Sequence, residues 1–344
     1  MGILKKKYFI SQFTHEVYRH GGVGYTDAEK ILALMGYQPL ALPGIDQFSL
    51  WNKVRRLIRV LYWFIFLPRR STIIFLSPVY PRMLCILIRL LSRRKNIRLI
   101  CFIADIDGVR DGDLDVQKEE AAFYRLCDQF IVHNASMDEW LKRTMGNIMT
   151  AEIDFFDFLA EPNFTSREHS FNVVFAGNLS KSPFLEQVED LVPQSPKVKF
   201  HLFGEATVRM KEQQNMLWHG SFEPALLPGK LNASFGLVWD GDSINSLRGL
   251  AGEYLIYNSP HKLSLYILSG IPLIVPAASA SAGLVRKYGI GLIVTDLLSL
   301  QSEIEKVSIE EYEQMRNNLV PLAKKISSGQ RLKTALEELD RNVS

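Results

Sequence analysis

Several shortages in this 344-residue sequence each remove a class of protein. It has three cysteines, Cys85, Cys101 and Cys127, an odd count without C-x-x-C spacing. Such a set builds neither a disulfide framework nor a zinc site, and suits buried thiols in a reducing cytoplasm. No apolar run approaches the ~20 residues needed to span a bilayer. The most apolar stretch, Leu57 to Leu67, is interrupted by Arg59 and followed by Pro68-Arg69-Arg70. A basic start, Met1 to Lys7, precedes Tyr8-Phe9-Ile10-Ser11-Gln12, far too short for a signal-peptide core, so cytoplasmic residence is expected. Low-complexity tracts are missing, and with 47% hydrophobic and 22% charged residues the whole chain should fold. One core is too few at this length, and two domains of about 150 residues each are expected.

The sharpest shortage is local. Residues 47–104 contain twelve Lys or Arg and no Asp or Glu, in a chain whose net charge is only +3. One reading is a face across 51–98 for anionic lipid headgroups, built from Arg55, Arg56, Arg59, Arg69, Arg70, Arg82, Arg89, Arg93, Arg94 and Lys95 beside Trp51, Tyr62 and Trp63. It would hold the protein peripherally at the inner face of the plasma membrane. The other reading is ordinary solvated helix faces. No recognition-helix, RRM or zinc-finger pattern accompanies the charge, so nucleic acid is not an expected partner. Self-association into a homo-oligomer stays open.

What the chain has in quantity is alternation of short β-branched or aromatic runs with helical stretches. Tyr8–Ile10, Ile73–Leu76, Leu99–Ile103 and Phe130–Val132 read as buried parallel strands of a first sheet. Val173–Ala176, Phe200–Phe203, Leu217–His219, Gly236–Trp239, Leu273–Val275 and Leu292–Val294 read as a second. Between them the polar, proline-bearing segment 161–170 is the expected linker, giving domains of 1–163 and 164–329. A helix over about 330–344 is expected to return to the first domain.

In open α/β sheets ligands lie beyond the carboxyl ends of strands, where loop amides and helix N-termini can hold phosphate. Four such places stand out. His20-Gly21-Gly22-Val23-Gly24-Tyr25-Thr26-Asp27 is a glycine-rich loop entering a helix, though neither G-x-G-x-x-G nor a Walker loop. Phe175-Ala176-Gly177-Asn178-Leu179-Ser180-Lys181 puts a glycine, an amide and an ammonium at a strand end. Gly236-Leu237-Val238-Trp239-Asp240-Gly241-Asp242-Ser243 ends a strand with a ring and two carboxylates. D-x-D patterns recur here at Asp105-Ile106-Asp107 and Asp111-Gly112-Asp113, so a metal site is not inferred; Asp240 is read as a partner of sugar hydroxyls and Trp239 as a wall of the pocket. In Tyr257-Asn258-Ser259-Pro260-His261-Lys262-Leu263-Ser264, Asn258 or Ser259 can cap a helix whose first turn holds Pro260. Lys262 in that first turn opposes the helix dipole unless an anion binds there, and a diphosphate would resolve the conflict.

These segments, with Asp154-Phe155-Phe156-Asp157-Phe158, resemble bacterial galactofuranosyltransferases and the related glucosyltransferases that extend glycans on serine-rich adhesins. The resemblance implies an α/β, GT-B fold, two doubly wound Rossmann-like domains facing a cleft. It implies a UDP-sugar donor as co-substrate, no required metal or other cofactor, and a glycan or lipid-linked glycan acceptor. Asn258 and Lys262 fall at positions that look like the family's nucleotide-diphosphate contacts, with Tyr257, Ser259 and His261 beside them. Where the family often carries a His-Asp pair after a strand of its first domain, this chain has Ala104-Asp105. Asp105 is then the candidate base, with Asp107 and Glu16 next, and the acceptor lies near Gly22, Gly24 and Arg110. The two glutamates that retaining enzymes carry eight positions apart correspond here to Tyr257 and Leu265, so inversion is expected. Domain closure would align acceptor, anomeric carbon and leaving group. A non-catalytic sugar-nucleotide or glycan-binding subunit and an epimerase are the competing readings.

Overall fold

A computed structural model describes residues 6–12, 22–43 and 49–342, which fall into two compact units. One takes in Met1–His133, Asp138–Ile153 and Leu332–Ser344; the other takes in Asn134–Met137 and Asp154–Arg331. Among the described residues no helix is long and apolar enough to cross a membrane.

The first unit is built on six parallel strands: β1 (Lys7–Ser11), β2 (Gln38–Ala41), β3 (Thr72–Ser77), β4 (Arg98–Ile103), β5 (Gln129–Val132) and β6 (Met149–Glu152), in the order β2-β1-β3-β4-β5-β6. β3 is buried at every position, which is why its centre, Ile73–Leu76, reads as an uninterrupted apolar run. The two outer strands, β2 and β6, are the ones the run-based reading misses. Gln38-Pro39-Leu40-Ala41 buries only Leu40 fully, and Met149-Thr150-Ala151-Glu152 only Ala151. Three helices matter below: α1 (Val23–Leu34), α2 (Leu50–Phe66) and α3 (Arg82–Ser92). The last helix, Gln330–Arg341, buries Leu332, Ala335, Leu336 and Leu339, while its Asp340 pairs with Arg98 at the start of β4.

In the second unit β7 (Asn172–Ala176), β8 (Lys199–Phe203), β9 (Met216–Gly220), β10 (Phe235–Leu237), β11 (Leu273–Pro276) and β12 (Gly291–Val294) run in the order β12-β11-β10-β7-β8-β9. Numbered within the unit this is 3-2-1-4-5-6, the mononucleotide-binding order, whose direction reverses between β7 and β10. The first sheet reverses between β1 and β3, in the flavodoxin-like manner. A core of Phe175, Phe184, Phe200, Phe235, Trp239 and Tyr312 with their aliphatic neighbours lies to one side of the second sheet.

The polar segment expected as a linker is pinned along the second unit. Asn163 donates its backbone N–H to the carbonyl of Leu268 at 2.7 Å, and the buried Arg167 donates to that of Ser269 at 3.0 Å. His169 packs on Phe235 and Tyr312. Polarity there reflects specific backbone partners, a pattern that composition does not separate from a free connector.

Candidate functional site

In the second unit the reversal point brings the ends of β7 and β10 side by side, and the helix His261–Leu268 crosses above them. Tyr266 fixes that helix to both strands. Its phenol accepts from the Ala176 N–H at 2.9 Å and donates to the Leu237 carbonyl at 3.2 Å. Gly236 makes room for the ring, since a Cβ there would fall 2.5 Å from a Tyr266 ring carbon. One turn back, Ser264 Oγ donates to the Phe156 carbonyl at 2.6 Å, and His261 lodges against the rings of Phe156 and Phe158. The helix cap is Pro260, with His261 the first helical residue, one or two places later than the expected cap at Asn258 or Ser259. Pro260 has extended backbone dihedrals and makes no side-chain cap, and Ser259 before it is buried.

This anchoring delivers Lys262 to one spot. Its Nζ lies 3.0 Å from each carboxylate oxygen of Asp240 and 4.0 Å from the centre of the Phe175 ring. Ser182 Oγ donates to the same carboxylate at 2.9 Å, and a Cβ on Gly177 would sit 3.1 Å from Lys262 Cε. Lys262, Asp240 and Gly177, picked from three separate segments, therefore meet at the reversal point. Asp240, expected at sugar hydroxyls, takes a position that was not expected, as the counter-ion of Lys262. Trp239 also departs from expectation: it is fully buried in the core and its indole N–H is bonded to the Ser243 carbonyl at 2.9 Å, so it walls no ligand space. Alternation along β10 explains both, because consecutive residues leaving a strand face opposite ways.

The other expected donor residues spread around this centre. Asn178 and Lys181 are exposed on a short turn, where Asn178 Oδ1 accepts from Ser180. Tyr257 and Ser259 both receive the side-chain amide of Asn134, at the Tyr257 carbonyl (3.1 Å) and at Ser259 Oγ (2.9 Å). Asn258 Oδ1 is buried without a hydrogen-bond partner. Sequence reading overlooked Gly204, whose added Cβ would fall 2.1 Å from the Gly177 carbonyl oxygen, at φ +141°. It also overlooked Tyr266 and Asn134. Only the G-x-x placement of Gly204 after a strand could have signalled the first.

The reversal point of the first unit has different chemistry. Gln12 stitches it together: its Nε2 donates to the Leu76 carbonyl at 2.8 Å and its Oε1 accepts the Tyr80 N–H at 3.1 Å. Buried Glu29 of α1 takes Ser11 Oγ and the Gln12 N–H at 2.6 and 2.7 Å. Asp105, just past β4, donates its N–H to the Ser77 carbonyl at 3.2 Å, and Tyr25 reaches the same carbonyl from α1. Burial, then the charges of Asp105, Tyr80 and Asp107, raise the Tyr25 phenol far above its ordinary value.

Arg110 stands among three carboxylates. It lies 2.8 Å from Asp107, 3.4 Å from Asp105 and, through Nε and Nη2, 2.8 and 2.9 Å from Asp111. Glu120 closes the loop beneath them, accepting the N–H groups of Asp107 and Gly108 at 2.9 Å each. Burial lifts its carboxyl to about 7 despite those two bonds. His133, at the end of β5, is fully buried and bonds to the backbone at Ala104 and Ile103; burial drives its pKa down to about 3, so it is neutral. The histidine missing at position 104 is thus met in space by one from the next strand, acting on the backbone that carries Asp105. Gly22 caps α1 and Gly24 lies in its first turn, while Glu16, His20 and Gly21 lie outside the described residues.

Comparison with known proteins places the chain in a family. A model of the glucosyltransferase 3-like N-terminal domain matches residues 7–148, and one of the C-terminal domain matches residues 173–339. The β-1,6-galactofuranosyltransferase WbbI of Escherichia coli (strain K12) is 31% identical over 255 residues, 72% of each chain. Glucosyltransferase 3 of Streptococcus gordonii is 34% identical over 225 residues, 63% of each. Among solved structures, sucrose-phosphate synthase from Thermosynechococcus elongatus superposes with a TM-score of 0.68 at 12% identity, covering 98% of this chain and 100% of that one. HepE of Anabaena, crystallised with UDP and glucose, gives 0.62 at 12% identity, covering 98% and 99%. At such identity these two show the fold alone, and it is GT-B.

Proposed function

The chain belongs to the glucosyltransferase 3-like family of glycosyltransferases, and from that premise we propose that it moves a hexose, of galactofuranose or glucose type, from a UDP-sugar to a glycan or lipid-linked glycan acceptor in bacterial surface polysaccharide or glycoprotein glycan synthesis. The observation that carries this reading is Lys262, held at the reversal point of a mononucleotide-type sheet against Asp240, Ser182 and the Phe175 ring. An ammonium so placed suits a diphosphate. Oxygens of the leaving UDP gain negative charge as the bond to the anomeric carbon breaks, and Lys262 with the first-turn amides stabilises that charge without calling on a metal. Asp240 positions the lysine.

On the first unit Asp105 takes the proton of the acceptor hydroxyl as its oxygen bonds to the anomeric carbon, and UDP departs with the electron pair of the broken bond. Arg110 orients Asp105, and Glu120 with His133 hold the backbone on either side. Attack opposite to the leaving group inverts the anomeric centre, consistent with Tyr257 and Leu265 standing where retaining enzymes carry glutamates. The test is a thermal-shift series with UDP, UDP-glucose, UDP-N-acetylglucosamine and UDP-galactofuranose, followed by turnover with the sugar that stabilises most. A donor that raises the melting temperature and is consumed only with acceptor present supports transfer. If no UDP compound shifts the melt, the donor assignment falls.

A further inference from the structure

We propose that α2 seats the protein on a bilayer rich in anionic lipids, its apolar face among the acyl chains and its arginines at the headgroups. Helix α2 is turned inside out relative to an ordinary surface helix. Leu50, Val54, Leu57, Leu61 and Ile65, with Trp51, Ile58, Tyr62 and Phe66 beside them, form a continuous face at i, i+4, i+7 spacing, and all are exposed. Leu50 is 80% exposed, Trp51 69%, Phe66 64% and Ile65 61%, values typical of charged residues. The residues it buries are Asn52, Val60 and Trp63 on the opposite side. Neighbouring α3 does the reverse, burying Leu84, Leu87, Ile88 and Leu91 and exposing Arg82, Arg89 and Arg93.

Charge selects the occupant. Lys53 borders one edge of the apolar face and Arg55 and Arg59 the other, with Arg59 lying over the Trp63 ring. Cations flanking an exposed apolar stripe match a headgroup layer, where their stems can reach the phosphates while the stripe sinks below. A second copy of the chain would bring these cations against their own kind, with no Asp or Glu in residues 47–104 to pair with them. Seventeen residues of helix with cations along its flanks lie in the interface and do not cross it.

The experiment is flotation of the full chain with phosphatidylcholine vesicles, with and without phosphatidylglycerol. Trp51 fluorescence is followed with acyl-brominated lipid, and Trp51→Phe serves as the emission control. Wild type should float with the anionic vesicles and show brominated-lipid quenching that Trp51→Phe removes. Ile58→Glu/Ile65→Glu should cut partitioning at least tenfold on both vesicle types, and Arg55→Gln/Arg59→Gln should do so on anionic ones alone. Both variants should keep the wild-type melting temperature and turnover on a water-soluble acceptor. The proposal is overturned if wild type stays below the vesicles at low salt, or if the double glutamate variant floats normally. Unquenched Trp51, or light scattering that shows a dimer which Ile58→Glu/Ile65→Glu splits, overturns it equally.

Discussion

The two units share one architecture and differ in the sign of what they hold at the reversal point. In the second, a cation stands at the strand ends, backed by one carboxylate and an aromatic ring. In the first, Asp105, Asp107 and Asp111 gather round Arg110 on a loop that Glu120 closes, with the phenols of Tyr25 and Tyr80 beside them. Parallel sheets present backbone in the same manner whatever the side chains, so the fold decides where chemistry happens and the loops decide which charge is welcome. On the proposed reading, one end suits a diphosphate and the other suits hydroxyls that must lose a proton.

Separate damage to each end sharpens that contrast. The largest effect should come from Asp105→Asn, which keeps the shape and removes the proton acceptor. Transfer should fall by about 10³-fold or more while UDP-sugar affinity, read by calorimetry, stays within about twofold. Loss of both would make Asp105 structural, and retained transfer would move attention to Asp107. Next, Lys262→Ala should lower turnover about 10²-fold and weaken UDP binding as well, without lowering the melting temperature. If the two variants gave the same pattern of affinity and rate, the division of labour between the units would fail.

Gly236→Ala tests the scaffold beneath the lysine. Its methyl would press into the Tyr266 ring and should destabilise the second unit by about 1–3 kcal/mol, seen in urea unfolding, with turnover reduced in step. Acid should separate the units more gently. His201 is lowered to about 4 by burial and then by the charges of His219 and Lys199, and His219 is lowered too by burial. Below the ordinary value near 6.5 the unfolded chain takes protons that the folded one refuses, so this contribution to stability declines as pH falls through about 4. His133 acts in the same direction in the first unit, but Glu120, raised to about 7, opposes it. Its folded carboxyl holds a proton that the unfolded one releases, so its contribution is full below about 4.5 and lost as pH rises through 7. Between pH 7 and 5 the second unit should therefore lose more stability than the first, and His201→Gln should narrow the gap in a pH series of melts.

Ten of the twelve described strands were legible because each carries a short β-branched or aromatic run, clearest in β3, where Ile73–Leu76 runs apolar and every position is buried. β2 and β6 hid because neither carries such a run: Gln38-Pro39-Leu40-Ala41 is broken by Pro39, which an outer strand tolerates, and Met149-Thr150-Ala151-Glu152 fully buries only Ala151. The cluster around Lys262 was half visible. Lys262 announced itself by sitting where a helix dipole disfavours it, but nothing local says that Tyr266, four residues on, ties the helix to two strands. Trp239 misled, since a tryptophan and an aspartate in succession look alike as pocket residues until alternation assigns one to the core. The reversal point of the first unit was least visible, because Gln12, Tyr25, Glu120 and His133 come from four elements that only the sheet order brings together.

The closeness of Asp240 to Lys262 also bears on what happens after transfer. Both carboxylate oxygens lie 3.0 Å from the ammonium, so the lysine already has a counter-charge within the protein. On the proposed reading an arriving diphosphate displaces this internal rival and meets no bare charge. On the proposed reading the same rival is waiting when the sugar has gone, and it competes with spent UDP for the lysine. Product inhibition should then be mild for a site holding a partly buried cation, and turnover less throttled by release.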